Sequence, residues 1–121
     1  MAGTLTISTL SDGTNSTSST NPIKGSAKAW VAYNGITQTI LGSFNVSSVT
    51  YISAGNYTVN MTTAMANANY AVALGAYVVT TNGSSYLQTP NPTTTSFTMG
   101  TGTPGTSSNN VALITASVFS S

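Results

Sequence analysis

The sequence predicts an all-β protein: an antiparallel β-sandwich of about seven or eight strands, jelly-roll-like, behind an extended N-terminal arm. Three observations carry this. Apolar and polar residues alternate with a period of two through most of residues 25–121, the spacing of half-buried strands. Turn-forming Gly, Asn and Pro recur between these runs, at roughly the 8–12-residue intervals of sandwich folds. No segment has the apolar spacing of an amphipathic helix. A chain of 121 residues suits one such domain.

The elements follow in order. Thr4–Leu10 places Leu5 and Ile7 on one side and reads as a weak strand. Asp12-Gly13 opens a polar run over 14–21, and no apolar residue follows until Ile23. Such a run cannot bury enough surface to order itself, so residues 1–24 are expected to form an assembly arm held by a neighbouring subunit. Thr4, Leu5, Thr6, Ile7, Leu10 and Ile23 are its candidate contacts, and residues 25–121 form the sandwich. Lys28–Asn34 sets Trp30 and Ala32 against Val31 and Tyr33, and Asn34-Gly35 predicts a type I′ hairpin turn. Ile36–Leu41 returns, Phe44 and Val46 alternate with polar neighbours, and Tyr51-Ile52 extends that segment. A turn at Ala54-Gly55-Asn56 leads into Tyr57, Val59 and Met61, the clearest half-buried strand. Residues 63–69 read as a loop or one helical turn. Residues 70–79 are apolar on both faces, which predicts a central, fully buried strand. Asn82-Gly83 turns the chain into Tyr86-Leu87, Pro90 and Pro92 punctuate, and Ser96–Met99 is a short strand. Residues 100–110 read as a long loop, and Val111–Phe119 as the last strand.

Charge excludes most enzymology. Lys24, Lys28 and Asp12 are the only ionic side chains, Arg, Glu, His and Cys are absent, and 53 of 121 residues are Ser, Thr or Asn. Acid–base catalysis needs a tuned titratable group, usually with a partner. A carboxylate pair, a Ser-His-Asp triad and a His/Cys zinc site are each impossible within one subunit. The expectation is therefore a non-enzyme with no cofactor and no metal. A net charge of +1 provides no basic patch for nucleic acid and no polybasic anchor. The longest apolar run is too short to span a bilayer, and the N-terminus lacks a signal-peptide pattern.

The motifs are weak one by one. Residues 100–105 match G-x-G-x-x-G, but no helix start and no acid follow, as a dinucleotide site requires. Five N-x-[ST] sequons are about what twelve Asn among so many hydroxyls yield by chance. The Thr-x-Thr pairs share no period, against an ice-binding array. Trp30, Tyr33, Tyr51, Tyr57 and Tyr86 could stack on sugars, although Tyr and Trp commonly serve as half-buried core residues. Tyr86 and the 100–110 segment lie in the least regular regions, so Tyr86, Thr101, Asn109 and Asn110 are the candidate ligand-binding residues.

Four ordered blocks resemble a known family. Gly25-Ser26-Ala27-Lys28-Ala29-Trp30-Val31-Ala32-Tyr33-Asn34-Gly35 is similar to the K-A-W-V-N-F-N-G entry of a domain recurrent in tailed-phage fibres and other phage virion proteins. Phe44-Asn45-Val46-Ser47-Ser48 resembles its F-N-V-S-S, Gly55-Asn56-Tyr57-Thr58-Val59-Asn60 its G-D-Y-T-V-N, and Ala68-Asn69-Tyr70-Ala71-Val72 its A-N-Y-A-V. Residues 4–21 resemble the lead often found upstream. Asn56 stands where the family has an acid, and Ala32 where it has Asn. The resemblance implies a virion β-sandwich with no catalytic residues to transfer. It further implies a homo-oligomer, expected to be a trimer, that meets other capsid or tail proteins. Because Met1 nearly adjoins the domain, the expectation is a capsid-decoration, cement or fibre-type subunit located in the virion. The alternative is a host-receptor or glycan-binding module of a fibre, in either case without nucleic acid or membrane insertion.

Overall fold

A computed structural model describes residues 3–77, 84–88, 91–103 and 107–120. The sandwich comprises two four-stranded antiparallel layers. In the first, β3 (Ala29–Asn34), β4 (Thr39–Phe44), β7 (Ala71–Tyr77) and β11 (Leu113–Phe119) lie in the order β4-β3-β11-β7. In the second, β5 (Val46–Ser53), β6 (Asn56–Met61), β8 (Ser84–Gln88) and β9 (Ser96–Thr103) lie in the order β5-β6-β9-β8. A two-residue strand, β10 (Ser107–Ser108), folds back on β9 and continues the line of β6, because Gly102 pairs with both Ser84 and Ser108. The sandwich is as expected. Its consecutive strands β3–β4, β5–β6 and β8–β9 pair within one layer, so the finer jelly-roll description goes beyond these strand orders.

Alternation decides which side chains meet between the layers. Val31, Tyr33, Ile114, Ala116 and Val118 of the first layer face Tyr57, Val59, Met61, Phe97 and Met99 of the second, all buried. The Tyr33 and Tyr57 rings meet edge to face at 5.3 Å, a favoured aromatic geometry. At the opposite end of the sandwich the Tyr70 ring stands edge-on to Phe97, 6.4 Å away. The Tyr70 hydroxyl lies 2.8 Å from the Thr93 carbonyl and 3.0 Å from that of Ser96, and donates there.

Several local expectations are corrected. Asn34-Gly35 does not form a two-residue type I′ turn. The pair Asn34↔Thr39 encloses four residues, Asn34 Oδ1 accepts the N–H groups of Ile36 and Thr37 at 2.9 and 3.0 Å, and the positive φ falls on Gln38. Glycine is required at position 35 for closeness: a Cβ there would meet the Tyr57 hydroxyl and the Val111 carbonyl. The run at 70–79 is not a central strand. Its described part, β7, is an edge strand whose alternate residues Ala71, Ala73 and Tyr77 are exposed. Residues 100–103 continue β9 instead of opening a loop. Residues 63–69 are a loop, one of the two forms expected for them. The Asn82-Gly83 turn and Pro90 lie outside the described residues.

The arm contains more local structure than its polarity suggests. β1 (Thr9–Ser11) pairs with β2 (Ser16–Ser18), and the turn between them closes on Asp12 Oδ1, which accepts the N–H groups of Thr14 and Asn15. Such Asx geometry is the ordinary use of an aspartate in a turn. The six-residue helix α1 (Thr20–Gly25) follows with no buried residue. Lys28 joins the arm to the sandwich: its N–H donates to Val118 O at 2.7 Å and its ammonium to Ile23 O.

The layers are joined at Asn45, between β4 and β5. Its φ is +54°, a left-handed conformation that Asn tolerates better than most residues. Its Nδ2 donates to Lys28 O at 3.1 Å and Thr63 O at 3.2 Å, and its Oδ1 accepts the Thr63 N–H at 2.7 Å. Asn45→Ala should cost about 2–3 kcal/mol through lost hydrogen bonds and backbone strain. Asn45→Gly should recover only the backbone part, and urea denaturation of both variants checks the division.

Candidate functional site

The candidate ligand residues Thr101, Asn109 and Asn110 converge at the end of the sandwich that holds the 35–38 and 54–55 turns. There they tie strands together. Gly55 turns at φ +70°, and a Cβ on it would meet Thr101 O at 2.5 Å and Asn109 N at 2.7 Å. Its N–H donates to Asn110 Oδ1 at 2.9 Å, and the same oxygen accepts the Tyr57 hydroxyl at 2.7 Å. Thr101 is fully buried, its N–H on Gly55 O and its hydroxyl on Asn109 O at 2.6 Å. The Thr101 hydroxyl and Asn110 Oδ1 are thus committed to the protein's own backbone and to Tyr57.

Tyr86 is placed differently. It sits on β8 opposite Gly100, on the outer face of the second layer. A Cβ at Gly100 would strike the Tyr86 ring and Gln88 Oε1, so ring and amide lie across a glycine floor. Asn56 pairs with Gly100 from the other side. Among the described residues, Asn56 Oδ1 and Gln88 Oε1 are buried acceptors without a donor. The rest of this face is a ladder of neutral polar groups: the Thr58 and Thr98 hydroxyls are 3.0 Å apart, and Asn60 Nδ2 donates to Ser48 and Thr50.

The outer face of the first layer has the opposite chemistry, and reading the sequence strand by strand does not reveal it. Register places Phe44, Trp30, Ser117 and Ala73 in one row across the strands. The next row is Gly42, Ala32, Thr115 and Gly75, and a third ends in Leu113 and Tyr77. Phe44 and Tyr77 are 57% and 61% exposed, and the Trp30 ring lies over Gly42. No residue in these rows is charged. The available signal was the doubly apolar run of β7, which reads as burial on both faces.

All six candidate arm contacts (Thr4, Leu5, Thr6, Ile7, Leu10 and Ile23) are exposed, Leu5 at 82%. Among the described residues no three His, Cys, Asp or Glu gather as metal ligands, and no helix is long and apolar enough to cross a membrane. The titration shifts are those of structure. Burial raises the phenols of Tyr57, Tyr70 and Tyr33, with Tyr33 itself adding to the effect on Tyr57. The N–H groups of Asn15 and Thr14 hold the exposed Asp12 carboxyl below its usual range. The chain matches no known protein family, curated protein or solved structure.

Two outcomes follow. Asn110→Ala strands the Gly55 N–H and the Tyr57 hydroxyl, and should cost about 2–3 kcal/mol against about 1 kcal/mol for Tyr57→Phe, measured by thermal or urea denaturation. The raised phenols keep their protons longer in the native state than in the unfolded chain. The stability they support is therefore complete below about pH 10 and declines as pH climbs through the raised values. Asp12 works in the opposite sense, its contribution fading as pH falls through its lowered value, but it holds only the exposed β1–β2 turn. Thermal melts should therefore be level between about pH 5 and 9 and fall in stronger alkali.

Proposed function

We propose that this chain is a non-enzymatic structural subunit of a bacteriophage particle, of capsid-decoration, cement or tail-fibre type, which assembles as a symmetric oligomer with three copies as the leading expectation. One observation carries the reading: the residues that resemble the phage virion domain are the ones that hold this sandwich together. Lys28–Asn34 is the inner strand β3 with its link to the arm. Asn45 joins the two layers, Gly55 and Tyr57 build the knot around Asn110, and Tyr70 reaches across to Thr93 and Ser96. The resemblance thus corresponds to a scaffold, consistent with a protein whose work is to occupy a place in a particle. Surfaces almost free of charge carry little self-repulsion, which favours close packing of identical copies.

A second reading, a glycan-binding module of the same particle, draws on Tyr86 over Gly100 beside two acceptors that meet no donor among the described residues. Aromatic rings and amide oxygens are groups suited to meet a sugar's C–H face and hydroxyls. Binding on a glycan array that disappears with Tyr86→Ala would support it, and silence of the unaltered protein would remove it.

The structural reading is tested by light scattering on the purified chain and by protein counting in purified particles. A multimer whose mass is unchanged from about 0.1 to 1 M salt, together with a fixed copy number on capsid or tail, is expected. Absence from the particle, or a monomer at every concentration, overturns it.

A further inference from the structure

We propose that the outer face of the β4-β3-β11-β7 layer is the seat of residues 4–10 from a second copy of this chain, with Leu5 and Ile7 as anchors. This deepens the assembly reading above and rests on it.

Two surfaces formed by the described residues stand exposed to solvent, and they match. The face carries Trp30, Phe44 and Tyr77 around a band of Gly42, Ala32, Thr115 and Gly75. Its edge strand β7 is apolar on the core side through Val72, Leu74 and Ala76, and on the outer side through Ala71, Ala73 and Tyr77. An edge strand of a free monomer gains little from that second apolar side, whereas a covered strand needs it. The arm has the converse problem. Every residue from 3 to 16 is exposed, including Leu5, Ile7 and Leu10, and a hairpin of three-residue strands is marginal alone in water.

Size and charge choose the occupant. Four strands of about seven residues present on the order of 400 Å² in plan. Face against face would then bury about 800 Å² in total, below the roughly 1,200 Å² of a stable interface. An arm laid across the partner adds the missing area. Seven extended residues span about 23 Å, enough to cross four strands spaced about 4.8 Å apart. Residues 4–10 and the rows through Trp30 and Gly42 carry no charge, and the lysines stand at the border of the face, Lys24 beside Ala71 and Phe119 and Lys28 just ahead of β3, so an arm seated on those rows buries no ion without a counter-ion. If each copy gives an arm to the next and receives one, the exchange closes as a cyclic oligomer.

The chain contains no cysteine, which makes the test clean. Full-length Ile7→Cys and Ala73→Cys variants, both at exposed positions, are co-expressed under separate tags and mildly oxidised. The expected product is a disulfide between position 7 of one copy and position 73 of the other, identified by peptide mass. In parallel, Leu5→Asp with Ile7→Asp should raise the dissociation constant of the oligomer at least about tenfold and leave the monomer's melting temperature unchanged. An intact oligomer with only 7–7 or 73–73 links, or with no link, overturns this placement of the arm and leaves the assembly reading standing. A monomer from the unaltered chain overturns both.

Discussion

The passage of the chain from one layer to the other at Asn45 is the constraint on which the sandwich depends. β4 and β5 belong to different sheets with one residue between them, so the backbone must reverse there in a left-handed conformation. Asn45 adopts it, and its amide holds the carbonyls of Lys28 and Thr63 and the N–H of Thr63. One neutral side chain thus fixes the start of β3, the corner between β4 and β5, and the chain leaving β6. Were this corner to open, Val31 and Tyr33 would lose their position over Val59 and Tyr57.

The same device recurs at the other end. Asn110 gathers the 54–55 turn and the Tyr57 hydroxyl, while Thr101 binds the backbone of Gly55 and Asn109. Proteins often secure such points with ion pairs or disulfides; here amides, hydroxyls and closely approached glycines serve. Neutral hydrogen bonds are individually modest, but inside a sandwich each unmet group is costly, so a connected set specifies one arrangement. Glycine belongs to this chemistry. At 35 and 55 it admits a tyrosine hydroxyl or a neighbouring backbone where any Cβ would stand.

The two outer faces divide the remaining surface. One is a ladder of hydroxyls and amides, well suited to water. The other is a field of aromatic and small residues bordered by two lysines, at whose foot the polar arm leaves the domain with Leu5, Ile7 and Leu10 exposed. Composition alone does not distinguish these faces, since both draw on the same neutral residues. Their separation comes from register: a shift by one residue in β7 or β3 would exchange core and surface.

Local pattern was enough for the fold class, the scarcity of ionic side chains and the positions of most strands, because a period of two and a count of three charged residues are both legible along the chain. The half-buried strand at Tyr57, Val59 and Met61 is the clearest instance. Assembly of the strands settled what depends on distant neighbours. It placed the doubly apolar β7 at an edge, since the count of apolar residues does not say which strand lies beside it. It moved the positive φ of the first hairpin from Asn34-Gly35 to Gln38, because Gly35 was needed where Tyr57 and Val111 press close. It also made Thr101 and Asn110 ties across the fold, as their partners lie at Gly55 and Tyr57, more than forty residues away along the chain. Local periodicity records how each residue meets the strand it is in, whereas pairing between strands decides which groups remain free.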